Sequence, residues 1–426
     1  MRVLYLNPCG QVGGAETSLL ELLRGVREAA PDWELWLVLG EEGPLTKKAQ
    51  ELGVQVQVLA FPPTLARTGD STFSPAARLL EASRTALSTA RYARRLGAVI
   101  RSIRPDIIHT NGFKMHVLGA WAASGGTPVI WHIHDYVRSR RWMGRILRQF
   151  RGRCAAAIVN SNSVAADVQA LLPSVRITVI YNAVDLARFA PAGPKADLDG
   201  LSGLPAAAPE VLRVGLVATF ARWKGHRIFL QALAQLPPET PVRGYVVGGA
   251  IYQTGGSQWT RAELEREADQ LGLSGKVGFT GVVEDAARAM RALDIVVHAS
   301  TEPEPFGMVI AEGMACAKPV VASQGGGATE LFVDGENALA HPPGDAAALS
   351  RQILRLAGDA PLRARLGAAG RKTAEQRYSR KRLVNELIAT YRSVLPASNA
   401  LPVGSVPANH GSPMASTHYP TPESHS

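Results

Sequence analysis

The segment "EPEPFGMVIAEGMACAKPVV" (Glu302–Val321) shows the repeating pattern from which the fold of this chain is predicted. It holds a loop crowded with glutamate and proline, a small apolar helix from about Met308, and the start of the run "PVVAS". The apolar, β-branched run "DIVVHAS" (294–300) comes just before it. A strand, a helix and a second strand in this order predict a parallel βαβ unit. Ligands bind beyond the carboxyl ends of such strands, so we expect a site at the loop.

The entrance of this helix has backbone groups that suit a phosphate. The first N–H groups of a helix lack partners within the helix and attract anions. We expect these groups to come from Phe306, Gly307, Met308 and Val309. Pro305 stiffens the approach, and a glycine at position 307 lets a ligand come close to the backbone.

Two glutamates accompany this entrance, Glu304 in the loop and Glu312 in the second helical turn. A carboxylate accepts two hydroxyl hydrogen bonds, so acids beside a phosphate site suit a sugar and a ribose. The alternative is that Glu302 and Glu304 compensate the helix dipole, an effect of about 0.3–1 kcal/mol. That alternative leaves Glu312, inside an apolar helix, without an explanation.

The same alternation of apolar runs and helical patterns fills the rest of the chain. In the first half, strands are predicted at 2–7, 34–40, 54–60, 106–110, 128–134, 156–161 and 177–182. In the second half, they are predicted at 212–220, 243–249, 276–281, 294–300 and 319–323. Strands that are apolar throughout and alternate with helices predict parallel sheets covered on both faces.

Two doubly wound, Rossmann-like α/β domains joined by a short linker follow from this pattern. We predict an N-terminal domain over 1–189, a linker rich in Pro, Ala and Gly over 190–210, and a C-terminal domain over 211–379. A last helix, about 380–395, is expected to close the folded part. The segment 396–426 has six prolines and one charged residue, Glu423, and is predicted to be a disordered tail.

Charge and composition narrow the classes of protein. The net charge is +10, and residues 1–190 contain 23 Lys and Arg against 14 Asp and Glu. A basic half indicates an anionic partner such as a membrane surface, a phosphorylated substrate or nucleic acid. No apolar run approaches the roughly 18 residues that would span a bilayer, and the N-terminus lacks the apolar core of a signal peptide. The three cysteines are far apart, which favours a reducing, cytoplasmic compartment.

The segment at 302–321 resembles the E-x7-E signature of retaining glycosyltransferases of family four, which have the GT-B fold. The resemblance implies that the two domains face across a cleft and that the helix at about 380–395 packs back on the first domain. It departs from the family pattern at Gly313, where alanine is usual, and at Ala317, where glycine is usual. The resemblance implies that Glu304 faces the sugar of a nucleotide-diphosphate donor and that Glu312 contacts the ribose hydroxyls. The backbone amides of 306–308 would then touch the sugar or phosphate.

Two further segments of the second domain resemble the same family. The segment "ATFARWKGH" (218–226) is similar to its basic donor-binding motif, which implies that Arg222 and Lys224 neutralise the diphosphate. Taken alone, such a basic pair after a strand is more often a solvated surface. The segment "GGGATELFVDGENALAHPPGD" (325–345) resembles the family's glycine turn, with Glu330 as an acid at a helix entrance.

The first domain offers weaker motifs. Gly13 and Gly14 follow the first strand with a spacing that differs from the G-x-G-x-x-G of dinucleotide-binding enzymes. The resemblance places this glycine loop near the donor phosphate, and it implies that His134 contacts the sugar or orients the acceptor. It also places His109 and Asp135 on the acceptor side. A strand-end histidine is as often structural.

A metal pair at His132 and His134 is one interpretation of this strand, because period-two spacing puts both residues on one face. No third ligand is obvious from the sequence. The resemblance implies a metal-independent enzyme without a cofactor, whose co-substrate is a UDP- or GDP-linked sugar.

The segment "YVRSRRWMGRILRQFRGRC" (136–154) contains seven arginines. On a helical wheel its apolar residues share one arc, namely Trp142, Met143, Ile146, Leu147 and Phe150. Four arginines lie opposite, namely Arg138, Arg141, Arg145 and Arg148. Such a helix either lies on anionic lipid through residues 138–153 or packs its apolar arc in the first domain. Nucleic acid is not favoured, because no binding motif accompanies the basic residues.

Together these patterns predict a retaining glycosyltransferase that acts on an acceptor glycan or lipid-linked sugar, such as a cell-envelope polysaccharide precursor. Catalysis would depend on Glu304, His134, Arg222 and Lys224. The expected location is the cytoplasm, with possible peripheral contact at the inner face of the cell membrane. The alternatives are a sugar-nucleotide epimerase or hydrolase of the same fold, and an inactive sugar-nucleotide-binding scaffold.

Overall fold

The computed structural model describes residues 1–62, 75–123, 126–250 and 257–396. Within these ranges the chain forms two α/β domains, each built on a sheet of parallel strands. The predicted tail lies outside the described residues from position 397 onward.

The first domain contains a seven-stranded sheet in the order β3-β2-β1-β4-β5-β6-β7, with every pairing parallel. Its strands are β1 (Arg2–Asn7), β2 (Glu34–Leu39), β3 (Gln55–Val58), β4 (Ile107–Asn111), β5 (Val129–Ile133), β6 (Cys154–Val159) and β7 (Ile177–Val179). All seven predicted strands are present. Strand order reverses between β1 and β4, so the crevice of this sheet lies at their carboxyl ends.

The helices of the first domain cover both faces of its sheet. They are α1 (Gly14–Ala29), α2 (Pro44–Glu51), α3 (Pro75–Ile103), α4 (Phe113–Ala122), α5 (Arg141–Phe150) and α6 (Asn162–Leu171). In α1, the residues Leu19, Leu22, Leu23 and Val26 recur at helical spacing and are buried, which is why this segment docks as a helix. The sheet therefore has a packed core on each side.

The second domain contains a six-stranded parallel sheet in the order β10-β9-β8-β11-β12-β13. Its strands are β8 (Leu212–Val217), β9 (Val242–Val247), β10 (Val277–Gly281), β11 (Ile295–His298), β12 (Val320–Ser323) and β13 (Leu339–His341). Its helices are α8 (His226–Ala234), α9 (Arg261–Gln270), α10 (Ala286–Ala292), α11 (Met308–Ala315), α12 (Ala346–Gly358) and α13 (Ala360–Arg377). The strand order reverses between β8 and β11.

Strand β13 was missed by the sequence analysis, which interpreted 325–345 as a glycine turn leading into a helix. The segment instead forms a short 3₁₀ helix (Gly327–Leu331) and then β13 at the sheet edge. A strand of three residues is too short to show a period of two.

The segment predicted to be a linker, 190–210, is docked on the second domain. It includes the short helix α7 (Leu198–Leu201), in which Leu198 and Asp199 are buried. The Asp199 carboxylate accepts hydrogen bonds from the Tyr245 hydroxyl and from Nη1 of Arg243 at 2.7 Å. The charged side chain of Asp199 thus binds this segment, which is rich in Pro, Ala and Gly, to strand β9 of the second sheet.

The last helix, α14 (Arg380–Val394), returns to the first domain. Its buried residues Leu383, Val384, Leu387 and Tyr391 belong to the same core as the residues of α1. Arg380 joins the two helices through a hydrogen bond of 2.8 Å from its Nη2 to Glu21. None of the described helices is both long and apolar enough to cross a membrane.

Candidate functional site

The second domain brings a lysine and a glutamate together at the reversal point of its sheet. Strands β8 and β11 are neighbours, and the loops after them carry Lys224 and Glu304. Lys224 Nζ donates to Glu304 Oε1 at 2.6 Å. These two residues are 80 positions apart in the chain, so the fold alone joins two motifs that the sequence analysis had identified separately.

The carboxylate of Glu304 is nearly buried, with 7% of the residue exposed. Burial alone would raise its pKa, but the charge of Lys224 and the hydrogen bond from His298 lower the pKa well below the usual range. Glu304 is therefore ionised at neutral pH and forms a fixed, buried negative charge beside the end of β11.

Two residues that the sequence analysis did not select complete this cluster. His298 Nε2 donates to Glu304 Oε2 at 2.8 Å, and Ser300 Oγ donates to the same oxygen at 2.6 Å. Both residues are buried at the carboxyl end of β11. The signal for them was present in the sequence, because His298 and Ser300 are the polar residues that end an otherwise apolar strand.

Arg222 does not join Lys224 at this cluster. Its guanidinium lies 3.8 Å from the centre of the Trp259 ring, and its Nη2 lies 3.7 Å from Glu263 Oε1. The 3₁₀ turn at 222–224 points the two basic side chains to different partners. The two basic residues expected to act together therefore lie apart in this structure. Lys224 contacts the Glu304 carboxylate, and Arg222 lies over the Trp259 ring.

The helix after the loop begins where the sequence analysis expected. Gly307 precedes α11 with a φ of 99°, a left-handed conformation that favours glycine. The Phe306 side chain is buried in the core of the second domain, so only its backbone is able to contact a ligand. Met308 and Val309 are half-buried in the first turn of α11.

Glu312 is half-buried one turn further along α11, on the same side of the helix as Met308. Burial raises its pKa to about 7, and the charge of Arg188 at the domain junction offsets this only in part. Among the described residues no side chain or backbone donor forms a hydrogen bond with its carboxyl group. Glu312 thus differs from Glu304, whose carboxylate is fully engaged.

The first domain presents polar residues at the carboxyl ends of three neighbouring strands. Asn111 is the last residue of β4, and His134 and Asn160 come directly after β5 and β6. His134 Nε2 donates to Asn111 Oδ1 at 3.1 Å, and Asn160 Nδ2 donates to the backbone oxygen of His134 at 3.2 Å. Burial lowers the pKa of His134 to about 4, so its ring is neutral.

Several polar atoms of this edge are buried without a hydrogen-bond partner among the described residues. They are Asn111 Nδ2, Asn160 Oδ1, His134 Nδ1 and His132 Nε2. The rings of His132 and His134 lie 3.9 Å apart, as their period-two spacing predicts. In the described part of the chain, no three histidine, cysteine or acidic side chains converge as metal ligands do.

His109 requires a correction. Its ring is 0% exposed, and its Nδ1 lies 2.8 Å from the Tyr391 hydroxyl while its Nε2 lies 3.1 Å from His132 Nδ1. An acceptor cannot reach a side chain in this position. His109 is a structural residue that connects the returning helix α14 to the first sheet.

The remaining sequence-based candidates lie on loops at the same edge. Gly14 begins α1 and is exposed, and Gly13 is half-buried beside it. Asp135 is half-buried, and its Oδ2 lies 3.2 Å from Nη2 of Arg140.

Tyr136 reaches from this edge to the second domain. Gly327 N donates to the Tyr136 hydroxyl at 3.2 Å, and that hydroxyl lies 3.5 Å from the backbone oxygen of Glu304 and 2.8 Å from Ser163 Oγ. A Cβ added at Gly326 would lie 2.3 Å from the same hydroxyl, so only glycine permits this approach. The loops after β5 and β11 are therefore in direct contact.

The apolar residues of the arginine-rich helix α5 do not all face the first domain, unlike the single apolar arc of the helical wheel. Leu147 is buried, and Met143 and Phe150 are half-buried. Trp142 is 76% exposed and Ile146 is 43% exposed. The apolar arc therefore has one side packed on the first domain and one side in solvent, and the side chain of Arg141 lies outside the described part.

The sequence matches two family models that together cover both domains. The model described as Glycosyltransferase Family 4 matches residues 12–188, and the model described as Glycosyl transferases group 1 matches residues 207–373. A D-inositol 3-phosphate glycosyltransferase from Xylanimonas cellulosilytica is 31% identical over 64% of this chain and 68% of its own length. The chain belongs to glycosyltransferase family 4.

Other relatives of this family 4 glycosyltransferase have more specific names. The lipopolysaccharide core biosynthesis glycosyltransferase LpsE from Rhizobium meliloti is 32% identical over 54% of this chain and 61% of its own length. The matched region thus spans less than two thirds of LpsE.

Solved structures extend the likeness to both domains. The structure of HepE from Anabaena in complex with UDP has a TM-score of 0.75 and 27% identity, over 92% of this chain and 100% of that one. HepE has also been solved in complex with UDP-glucose. Sucrose-phosphate synthase from Thermosynechococcus elongatus, at 21% identity and a TM-score of 0.74, covers 92% of this chain and 98% of its own and has the same fold. The two parallel-sheet domains are those of the GT-B fold.

Proposed function

We propose that this family 4 enzyme transfers a sugar, with retention of configuration, from a nucleotide-diphosphate sugar to an acceptor hydroxyl. The observation that carries the proposal is the contact between Lys224 and Glu304 at the reversal point of the second sheet. Opposite this contact lies the polar carboxyl edge of the first sheet. A cation, a helix N-terminus and unpartnered polar groups around one cleft suit a charged sugar donor and a hydroxyl acceptor.

The second domain would hold the donor. The Lys224 ammonium and the start of α11 at Gly307 offer positive charge to a diphosphate, whose charge increases as the bond to the sugar breaks. Glu312 offers its carboxylate to the ribose hydroxyls, since no group of the described protein occupies it. The HepE complexes with UDP and UDP-glucose support a donor of this class, and the base, uridine or guanosine, stays open.

The first domain would hold the acceptor and one side of the sugar. His134 and Asp135 are half-buried at this edge and offer their side chains to hydroxyl groups. The neutral ring of His134 suits a hydroxyl contact better than a contact with the diphosphate.

Retention is proposed from the family resemblance and from the state of Glu304. A double displacement needs a carboxylate that is free to attack the sugar. The Glu304 carboxylate instead accepts three hydrogen bonds from the protein. We therefore favour a front-face route, in which the donor phosphate takes the proton of the acceptor hydroxyl.

The acceptor is proposed to be a cell-envelope glycan or a lipid-linked sugar. Residues 138–153 contain seven arginines and no acid, and the exposed side of α5 presents Trp142 and Ile146 among them. Trp121 of α4, which is also exposed, lies near Phe150 with ring centres 6.5 Å apart. Arginines mixed with exposed tryptophans suit the interface of an anionic membrane.

This membrane contact is tested by sedimentation with vesicles. Wild-type protein should sediment with phosphatidylglycerol vesicles and not with phosphatidylcholine vesicles, and added salt should release it. The double variant Trp142→Ala, Ile146→Ala should lose most of this binding. Leu354→Ala, which removes an exposed apolar residue from the second domain, is the matched control. Equal sedimentation with both vesicles, or with neither, would contradict the contact.

The donor proposal is tested by thermal-shift screening of sugar nucleotides, followed by product analysis. A matching ligand at 100 times its dissociation constant stabilises the protein by about 2.7 kcal/mol. Lys224→Ala should remove both this shift and the transfer reaction, whereas Lys276→Ala, at an exposed lysine of the second domain, should keep both. Products formed without an acceptor would indicate an epimerase or hydrolase, and binding without turnover on a broad acceptor panel would indicate a scaffold.

A further inference from the structure

The carboxylate of Glu304 has little capacity left for a sugar. An ionised carboxylate has about four lone-pair positions and only accepts hydrogen bonds. Lys224 occupies one oxygen, and His298 and Ser300 occupy the other, at 2.6–2.8 Å. With 7% of the residue exposed, Glu304 is directed toward the protein rather than into the cleft.

We propose that His298 and Ser300 are positioning residues that fix Glu304 as a buried anchor, so that Glu304 holds the Lys224 ammonium in place for the donor diphosphate. This inference rests on the proposed function. It gives Glu304 a role different from a direct sugar contact, because its effect on the donor passes through Lys224.

The need for an anchor follows from the chemistry of lysine. Lys224 lies on a short 3₁₀ turn and has a flexible four-carbon stem, so its ammonium would sample several positions if nothing held it. One proton of the ammonium goes to Glu304, and the ring of Trp223 lies 4.0 Å from Nζ. The two remaining protons of the ammonium are then available to phosphate oxygens.

Glu304 requires help to serve as an anchor, because a buried carboxylate tends to take up a proton. His298 and Ser300 are suitable because they are themselves fixed. The backbone oxygen of Ser300 accepts from Ser323 Oγ at 2.6 Å, and the backbone oxygen of His298 lies 3.2 Å from His341 Nε2. These contacts tie the end of β11 to β12 and β13.

In the described part of the chain, the titratable groups and hydroxyls around Glu304 come from four elements. They are Lys224 after β8, His298 and Ser300 at the end of β11, His341 of β13 behind His298, and Tyr136 of the first domain at the backbone oxygen. Burial alone would raise the pKa of Glu304, and Lys224 and then His298 contribute most to lowering it. Removing a hydrogen bond from this set should raise that pKa.

The test combines Ser300→Ala with His298→Phe, which removes both hydrogen bonds to Oε2, and compares the variant with His298→Gln, whose amide is able to donate one. We expect the double variant to lose about 10- to 100-fold in kcat/KM for the donor. The acid limb of its pH–rate profile should move to higher pH. His298→Gln should recover most of the rate.

The matched control is Ser274→Ala. Ser274 donates to Asp269 at the same distance of 2.6 Å, but on the exposed surface of the second domain. It should leave the rate and the pH profile unchanged. If the double variant does not fold, Ser300→Ala alone is used for the test. This variant removes the Ser300 hydroxyl and keeps the hydrogen bond from His298 to Glu304.

A folded Ser300→Ala variant with unchanged kinetics and an unchanged acid limb would overturn the positioning role. Absence of transfer by the wild-type protein would overturn the proposed function instead. The two are also separated by calorimetry with UDP and GDP, which needs no turnover. Weaker binding of the nucleoside diphosphate in the double variant than in Ser274→Ala supports the anchor, and equal binding contradicts it.

Discussion

Glu330 of the second domain accepts the backbone N–H of Ser163 in the first domain at 2.7 Å. The same carboxylate accepts the backbone N–H of Asn162 at 2.8 Å and the Tyr181 hydroxyl at 2.9 Å. Asn162 and Ser163 form the first turn of α6, whose free N–H groups attract negative charge. A glutamate that the sequence analysis assigned to a helix entrance of its own domain thus caps a helix of the other domain and joins the two domains.

The first prediction concerns this contact. Glu330→Gln should weaken domain closure by about tenfold or more, because a charge-assisted hydrogen bond contributes about 1.5–3 kcal/mol and the new amide turns a donor toward the N–H groups. Small-angle scattering should give a larger radius of gyration than for the wild-type protein. Glu336→Gln, at an exposed glutamate nearby, is the control. Identical scattering of both variants and the wild type would contradict the role of Glu330.

The second prediction concerns the hydroxyl of Tyr136, which lies between Ser163 and Gly327 across the cleft. Tyr136→Phe keeps the ring and removes the hydroxyl, so we expect a loss of about tenfold in kcat with little change in the melting temperature. Tyr92→Phe is the matched change, because that hydroxyl donates to Leu59 in the first domain, away from the cleft. It should lower the melting temperature and leave kcat unchanged. The reverse pattern would contradict a cross-domain role for Tyr136.

The third prediction concerns the pH dependence that Glu312 produces. Its pKa is about 7 in the folded protein against 4.5 for a free side chain, so the folded state holds the proton more tightly between these values. Stability without ligand therefore falls as the pH rises from 4.5 through 7. Glu312→Gln removes this penalty and should be more stable than the wild type by about 1–3 kcal/mol at pH 8.

The same ionisation should act on donor binding in the opposite direction. Only the charged form of Glu312 offers full acceptor capacity to two ribose hydroxyls, so donor affinity should increase as the pH rises through 7. Calorimetry with the nucleoside diphosphate across pH 5.5–8.5 measures this, and Glu312→Gln should flatten the profile. A wild-type affinity independent of pH over this interval would show that Glu312 does not contact the ribose.

The fold was largely predictable because its strands are buried on both faces. The runs "RVLYLN" and "DIVVHAS" have the uninterrupted apolar centres "VLYL" (3–6) and "IVV" (295–297), which distinguishes them from the helices around them. Strand β13 was not predicted, because a strand of three residues is too short to show the two-residue alternation of a β-strand. The packing of 190–210 on the second domain was not predicted, because it depends on contacts of Asp199 with Arg243 and Tyr245. These partners lie more than 40 residues away in the sequence.

Site residues were predictable where they lie in a motif that is local in the sequence. They were not predictable where their position depends on a side-chain conformation or on a contact with a distant part of the chain. Glu304 and Lys224 lie in recognisable motifs, and the structure brings them together. Arg222 shares a motif with Lys224, but the ring of Trp259 determines where it points. His109 ends in the core because Tyr391, 282 residues later, packs against it.

The last prediction concerns the charged cluster that docks 190–210. Asp199 is buried and accepts hydrogen bonds from Tyr245, from Arg243 and, at 3.1 Å, from Arg213 Nη2. Asp199→Ala would leave two partly buried guanidinium groups without this partner, so the free energy of unfolding should fall by about 3–5 kcal/mol. Asp197→Ala, two residues earlier, removes only an exposed N-cap and should cost about 1 kcal/mol.

Denaturant unfolding of the two variants measures this difference, and acid provides a second check. Burial alone would raise the pKa of Asp199, but the hydrogen bonds from Tyr245 and the arginines lower it below its ordinary value. The stability that this carboxylate contributes is present above its unfolded pKa of about 3.8 and is lost as the pH falls below it. The difference in the free energy of unfolding between the wild type and Asp199→Ala should therefore become smaller in acid. A gap no larger than that of Asp197→Ala at neutral pH would mean that the segment is held by its apolar contacts alone.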